Sequence, residues 1–470
     1  MRKMLLVGCL PLLLSAQPFD LVLRNARVMD SESGLDAARH VGIRGRTIAA
    51  LSQQPLQGKV EIDATGLVVA PGFIDLHSHG QSPENYRFKA MDGVTTALEL
   101  EVGVSPVGEW YAARAGKALV HFGASAGHIP ARMKVMGDSG DFLPRDAAMN
   151  RSASAEERDR IAREVRRGLD EGGLGLGMGL AYTPTAPPAE ILSLFGLAAE
   201  WTRPVFVHVR HGSAGTPGIV ESLQEVIGNA ASTGASVHVV HINSSSTSAV
   251  DTALRMIDGA RARGLDVTTE AYPYIAGATR LDSALFEPGW QQRMGISYGE
   301  LLWTDTGERL TEESFTRYRR QGGRVILFTN TEEMVRRAIV HPGVMIASDG
   351  GLTNGTGHPR SAGTYARILG RYVREEKALT LMDALRKMTI LPAQRLEKMA
   401  PAMQNKGRVR VGADADLAVF DPGSVIDHAT YEKPAQYSEG FRYVLVEGTL
   451  VVRDGRLVEG VAPGRPIQAR

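Results

Sequence analysis

Two textures of hydrophobic patterning alternate along this chain of 470 residues. Near the start, FDLVLRNARVMDSESG and HVGIRGRTIAAL alternate apolar and polar positions between turn residues, and near the end GRVRVGADADLAVFDP and FRYVLVEGTLVVRDGRLV do the same. A period of two turns one face of a strand inward and the other to solvent, so these stretches predict short antiparallel strands. The two ends, residues 18–70 and 401–470, are expected to form one small β-sandwich flanking the middle.

Between residues 71 and 400 the period changes. Apolar strand-like runs alternate with helix-like segments such as SAEERDRIAREVRRGLDEG and PGIVESLQEVIGNAAS. Eight such runs can be read: GFIDLHSH, GVTTALELEV, ALVHFGASAGH, GLGLGMGLAY, RPVFVHVR, ASVHVVHIN, LDVTTEAYPY and GVMIASDGG. Eight β-α units in series predict an α/β architecture, a closed parallel (β/α)8 barrel of TIM type. Its active site is expected at the carboxyl ends of the strands.

The reactive side chains fall at those ends. The first run closes on His77 and His79, the second on Glu99 and Glu101, and the third on His128. The fifth closes on His208 and Arg210, the sixth on His241, the seventh on Glu270 and Tyr272, and the eighth on Asp349. Residues two apart on a strand share a face, so His77 and His79 are expected to converge. By the same parity His238 and His241 face opposite sides, which assigns His241 to the site and His238 to the outside. Four histidines with carboxylates form a nitrogen and oxygen ligand set suited to zinc or a similar divalent ion, and suffice for one ion or two if an anionic group bridges them. Glu101 is the expected bridge, with Glu99, two residues deeper, in a hydrogen-bonding role. Asp349 is placed both as a ligand and as the acid/base group.

Composition narrows the partner. The net charge is +1 and no basic cluster recurs, which points away from nucleic acid and toward a small molecule. The opening MRKMLLVGCLPLLLSA joins Arg2 and Lys3 to an apolar run too short to span a bilayer, and predicts a secretory signal peptide over residues 1–16 with a periplasmic or secreted product. Leu6 to Cys9 also resembles a lipoprotein cleavage box, although the apolar stretch before Cys9 is short for that reading. Cys9 is the only cysteine, so a chain cleaved near Ala16 has neither a disulfide nor a thiol nucleophile. The glycines of GGLGLGMG lack a Gly-Lys-Ser/Thr ending and predict no nucleotide site.

PGFIDLHSHG, GVTTALELEVG, GASAGH, GLGLGMGLAYTP, HVR, VVHIN, EAYPYIAGAT, SDGG with GHPR, and GADADLAVFDP occur in that order. The set resembles the amidohydrolase superfamily and, within it, the N-acyl-D-amino-acid deacylases, including those of the N-acyl-D-glutamate type. The resemblance implies a metal-dependent hydrolase that removes the acyl group from N-acyl-D-amino acids, and the D preference rests on it wholly. It also implies that Arg360 of GHPR binds the substrate carboxylate, with Tyr272 beside it, Arg210 and Arg132 as alternatives and His128 lining the pocket.

The chain departs from the family's pattern at two points. The fourth run lacks the lysine that many amidohydrolases carboxylate as a metal bridge, and Glu101-Val102-Gly103 stands where D-aminoacylases have a cysteine instead; on the sixth, His241-Ile242-Asn243 lacks their lysine near the histidine. The competing readings are a dipeptidase, a cyclic-amide hydrolase of the hydantoinase or dihydroorotase kind, and a barrel that only binds.

Overall fold

The computed structural model describes residues 18–213 and 215–470, so the expected leader and Cys9 lie outside the described residues. All eight apolar runs of the middle form strands of one parallel sheet in sequential order: Phe73–Asp75, Val94–Val104, His121–Gly127, Leu176–Gly179, Val205–His208, Val237–Val239, Val267–Ala271 and Val344–Ile346. Ser78 and Gly350 make a parallel bridge across the seam, which brings the first and last strands together. The strand interior is filled by Ile74, Leu98, Leu100, Phe206 and Met345. Outside, the helices pack through apolar stripes. Ala155–Asp170 buries Ile161, Val165 and Leu169, four residues apart each time, and starts at a capping box in which Ser154 and Glu157 satisfy each other's backbone N–H. No helix of the described residues is long and apolar enough to cross a membrane.

The two ends of the chain meet in one nine-stranded sheet, where Val68–Pro71 pairs antiparallel with Leu417–Phe420. The last residues leave that sheet. Phe122 N–H donates to Arg465 O, Ile467 N–H donates to Phe122 O, and Ile467 fills the bottom of the barrel. The segment from 464 onward therefore belongs to the barrel floor rather than to the flanking domain expected over 401–470.

A second feature was not legible in the pattern of eight units. Between the seventh strand and the helix Glu332–Val340, residues 276–330 build a lid. Its antiparallel strands Ala276–Arg280, Arg324–Phe328 and Leu301–Trp303 cover a core of their own that includes Phe286, Trp290, Trp303 and Phe315. Trp303 and Tyr318 stack there at 4.4 Å. Some 70 residues separate the seventh and eighth runs, more than one helix needs, and that excess was the available signal.

Strand parity fails at His238. Val237 and Val239 face the helices, so His238 points into the barrel, fully buried against Phe206. His241 also reaches the site because the chain leaves the strand after Val239 and His241 adopts a left-handed φ of 32°. The rule that set the two histidines on opposite faces holds only while the backbone stays extended.

Asp416 joins the flanking sheet to the barrel. Its carboxylate accepts from Lys406 Nζ at 2.6 Å, His121 Nε2 at 3.1 Å and the Glu447 backbone N–H at 2.7 Å, all buried. Burial raises its pKa, and Lys406 and His121 more than offset this, leaving it well below the usual carboxylate range. A lowered folded-state pKa adds stability that is present above the unfolded pKa and lost as pH falls through the folded one. Asp416→Asn is expected to cost about 3–5 kcal/mol in urea unfolding near neutral pH, because it leaves Lys406 buried beside fewer anions. The loss should shrink as the pH falls below about 4, where the unfolded wild-type carboxyl is already protonated.

Candidate metal centre

Six side chains from five strand ends converge above the barrel floor in two groups that share one residue. His77 Nε2 and His79 Nε2 lie 3.2 Å apart, and Glu101 Oε2 is 3.2 Å from each. Asp349 Oδ1 completes this group at 3.5 and 3.3 Å from the same two nitrogens. On the other side, Glu101 Oε1 is 2.7 Å from His208 Nδ1 and 3.3 Å from His241 Nε2, with those nitrogens 3.1 Å apart. Each group could hold a metal ion, with Glu101 bridging the two.

The chemistry of the donors supports this. His77 Nδ1 faces Glu270 Oε1 at 2.6 Å and His79 Nδ1 faces Glu99 Oε2 at 2.8 Å. Each Nδ1 therefore donates its hydrogen to a carboxylate, and each Nε2, once deprotonated, turns a lone pair toward the other histidine and toward Glu101 and Asp349. Acceptors this close to one another require positive charge among them. Burial lowers the His77 pKa, yet Asp349, Glu101 and Glu270 push it up to about 10, and His79 is likewise raised with Glu99 as the leading carboxylate. The second group is less negative, and His208 is lowered by burial and by His241. The residues therefore fit a divalent ion, most strongly in the His77, His79, Glu101 and Asp349 group.

The next layer of residues fixes these ligands. Glu270, reached by both His77 Nδ1 and His238 Nε2, lies below the first group, and Ser245 Oγ is 3.0 Å from His241 Nδ1. Asp75 clasps the first strand to the last: it accepts from the backbone N–H groups of His77 and Ser348, from Ser348 Oγ and from Lys89 Nζ, all buried. Asp349 follows directly with a left-handed φ of 52°, and its N–H donates to His77 O at 2.7 Å. A non-glycine residue held at positive φ costs energy that such surroundings must offset. Of these supports, only Glu99 was given a hydrogen-bonding role from sequence. Asp75, Lys89 and Ser348 look like ordinary strand and helix residues in the chain and became visible only once the barrel closed.

A cavity above the ligands is walled by barrel loops and by the lid. Arg360 and Tyr272 both line it, with the guanidinium carbon 4.5 Å from the tyrosine ring centre and Arg360 Nη2 2.9 Å from Asp349 Oδ1. Arg360 Nε, Arg360 Nη1 and Tyr272 Oη are buried and have no partner among the described residues. The other candidates are occupied elsewhere. Arg210 reaches the wall, but its fork pairs with both oxygens of Glu225 at 3.0 and 2.7 Å. His128 does not line the cavity: its Nε2 meets Glu190 Oε1 at 2.8 Å, and Arg132 Nη1 holds both oxygens of that glutamate at 2.7 Å. His128 ends its strand on a helix N-terminus and turns toward the helix layer, which takes Arg132 with it.

Comparison with known proteins agrees with this geometry. A model of the amidohydrolase family matches residues 60–452. The chain is 32% identical to the N-acyl-D-glutamate deacylase of Alcaligenes xylosoxydans xylosoxydans, over 93% of this chain and 94% of that one. It is 30% identical to the D-aminoacylase of the same organism, over 93% and 95%. Among solved structures, the N-acyl-D-glutamate deacylase of Bordetella bronchiseptica, complexed with zinc and a phosphonate mimic of the tetrahedral intermediate, superimposes with a TM-score of 0.81 at 27% identity, covering 96% of this chain and all of that one. A D-aminoacylase studied for its binuclear metal centre gives 0.82 at 26%, with the same coverage. D-hydantoinase from a Bacillus species shares the fold at 18% identity and a TM-score of 0.61.

Metal analysis of purified variants separates bridge from support. Glu101→Gln should lower bound metal and activity together, since both groups lose a ligand. Glu99→Gln should leave the number of sites unchanged and weaken metal affinity about 10- to 100-fold through His79.

Proposed function

The chain belongs to the amidohydrolase family, and on that premise we propose that it hydrolyses the amide bond of N-acyl-D-amino acids, releasing the acyl group as a carboxylate. One observation carries the substrate: the orphaned donors of Arg360 and Tyr272 stand beside a cluster made only of acceptors. A carboxylate next to the scissile amide gives these donors an acceptor, through charge-assisted hydrogen bonds to the guanidinium and the hydroxyl. The relatives named for N-acyl-D-glutamate and D-aminoacyl substrates support the D series. The cyclic-amide reading has less support, since its relatives match at lower identity or over a smaller share of this chain.

A divalent ion, zinc by the precedent of the Bordetella structure, supplies Lewis acidity toward the scissile carbonyl and toward water. His77, His79, Glu101 and Asp349, together with His208 and His241, are the residues that would hold one ion or two. Arg360 and Tyr272 orient the substrate through its carboxylate and so fix which face of the carbonyl meets the cluster. Asp349 carries the proton. Burial raises its pKa, and Arg360 and His77 more than offset this, so the carboxylate is ionised at neutral pH. It takes a proton from the attacking water and returns it to the nitrogen as the C–N bond breaks. The basic and apolar composition of residues 1–16 supports action outside the cytoplasm, which cell fractionation with amino-terminal sequencing of the mature protein tests.

Free-amine release by zinc-loaded protein from paired N-acetyl-D- and N-acetyl-L-amino acids, with dipeptides and a hydantoin alongside, tests the reaction. Turnover is expected in the D series, and cleavage confined to dipeptides or hydantoin would overturn the reading. Arg360→Met should raise KM about 10- to 100-fold with metal content unchanged. Asp349→Asn should lower kcat by about 10²- to 10⁴-fold.

A further inference from the structure

The barrel interior holds a histidine that belongs to neither metal group and does not line the cavity. His238 lies on the sixth strand, opposite Phe206 of the fifth and Thr268 of the seventh, and is fully buried. An imidazole in that position costs energy unless both nitrogens find partners, and both do. Nδ1 faces Thr268 Oγ1 at 2.8 Å, and Nε2 faces Glu270 Oε2 at 3.0 Å. Burial lowers the His238 pKa further than Glu270 raises it, and Arg395 of the helix Ile390–Leu396 adds to the lowering, so the ring is neutral and carries one hydrogen. A carboxylate only accepts, which places that hydrogen on Nε2. Nδ1 is left to accept from the Thr268 hydroxyl, whose other acceptor, Val237 O, is 3.4 Å away.

These bonds run on to the metal centre. Glu270 takes the His238 hydrogen on Oε2 and the His77 Nδ1 hydrogen on Oε1 at 2.6 Å, so hydrogen bonds of one direction lead from Thr268 through His238 to the carboxylate that holds the first ligand. The second group is backed differently, with His241 Nδ1 against Ser245 Oγ at 3.0 Å. We propose that His238 is a positioning residue for the first metal group: its Nε2–H fixes the Glu270 carboxylate against His77 and so sets the affinity of that group for its ion, leaving the second group unaffected. A carboxylate with a donor on each oxygen has one orientation, whereas one held by His77 alone pivots about that bond and holds the imidazole less firmly. This role concerns the metal centre and stands whichever amide the chain hydrolyses.

Zinc titration of the purified apo protein against a competing chelator tests it group by group and needs no substrate. His241→Ala leaves only the first group with all its ligands, and His79→Ala only the second. His238→Phe keeps a ring against Phe206 but has no N–H to offer. Added to the His241→Ala protein it should weaken zinc binding about 10-fold, and added to the His79→Ala protein it should change nothing. In the first background His238→Gln, whose amide can still donate to Glu270, should recover most of the affinity. His238→Met, of similar length and without a donor, should not, and it replaces the phenylalanine if that variant fails to fold. Equal losses in the two backgrounds would overturn the proposal, because a residue that only fills the barrel disturbs both groups alike. Unchanged affinity in the His241→Ala background, or a glutamine no better than methionine, would overturn it as well.

Discussion

Lone pairs packed within hydrogen-bond distance of one another repel unless positive charge lies among them, and this constraint organises the upper half of the molecule. Glu101 offers one oxygen to His77 and His79 and the other to His208 and His241, so a single buried carboxylate spans both groups. The second strand runs longer than its neighbours, from Val94 to Val104, and its pairing with the third is irregular between Glu99 and Val104, where Glu101 sits. The protein places carboxylates on the far side of the first two histidines as well, at Glu270 and Glu99, which fixes their tautomers and deepens the negative field.

The same constraint accounts for strain in the backbone. His241 and Asp349 both sit at positive φ, where a residue with a Cβ is normally disfavoured. At both positions the strand has ended and the side chain must turn back over the barrel mouth. The Asp75 clasp, with Lys89 and Ser348, anchors the strand preceding Asp349, and the bond from Asp349 N–H to His77 O joins the first and last ligand strands directly. Ligand geometry therefore depends on the seam at which the barrel closes.

Above the cluster the electrostatics reverse. The metal groups are rich in acceptors, while the cavity wall presents donors that the protein leaves unmet at Arg360 and Tyr272. A substrate that brings a carboxylate and a carbonyl into this gradient is oriented by charge before any chemistry begins. The lid covers this cavity with a sheet that has its own aromatic core.

Much of this was legible in the chain. Period-two alternation marked the flanking strands, eight apolar runs marked the barrel, and polar residues at the ends of those runs marked the side chains that converge above it, because a parallel barrel exposes its strand ends and little else to the site. Three matters lay beyond the sequence for physical reasons. Parity reasoning sent His238 outward because it assumed an extended chain as far as His241, where the backbone in fact turns. His128 was grouped with a cavity it does not line, and Arg210, which does line it, was offered as a substrate cation, because proximity in sequence does not tell whether Glu190, tens of residues away, or Glu225, on the next helix, will claim them. The clasp and the lid depend on contacts between segments about 270 and 25 residues apart, Asp75 with Ser348 and Arg324 with Gly351, that only closure of the barrel creates. Residue type and period determined the elements and the inventory of candidate ligands. Tertiary structure decided which charges were left without partners, because satisfaction of a buried polar group is a property of everything packed around it.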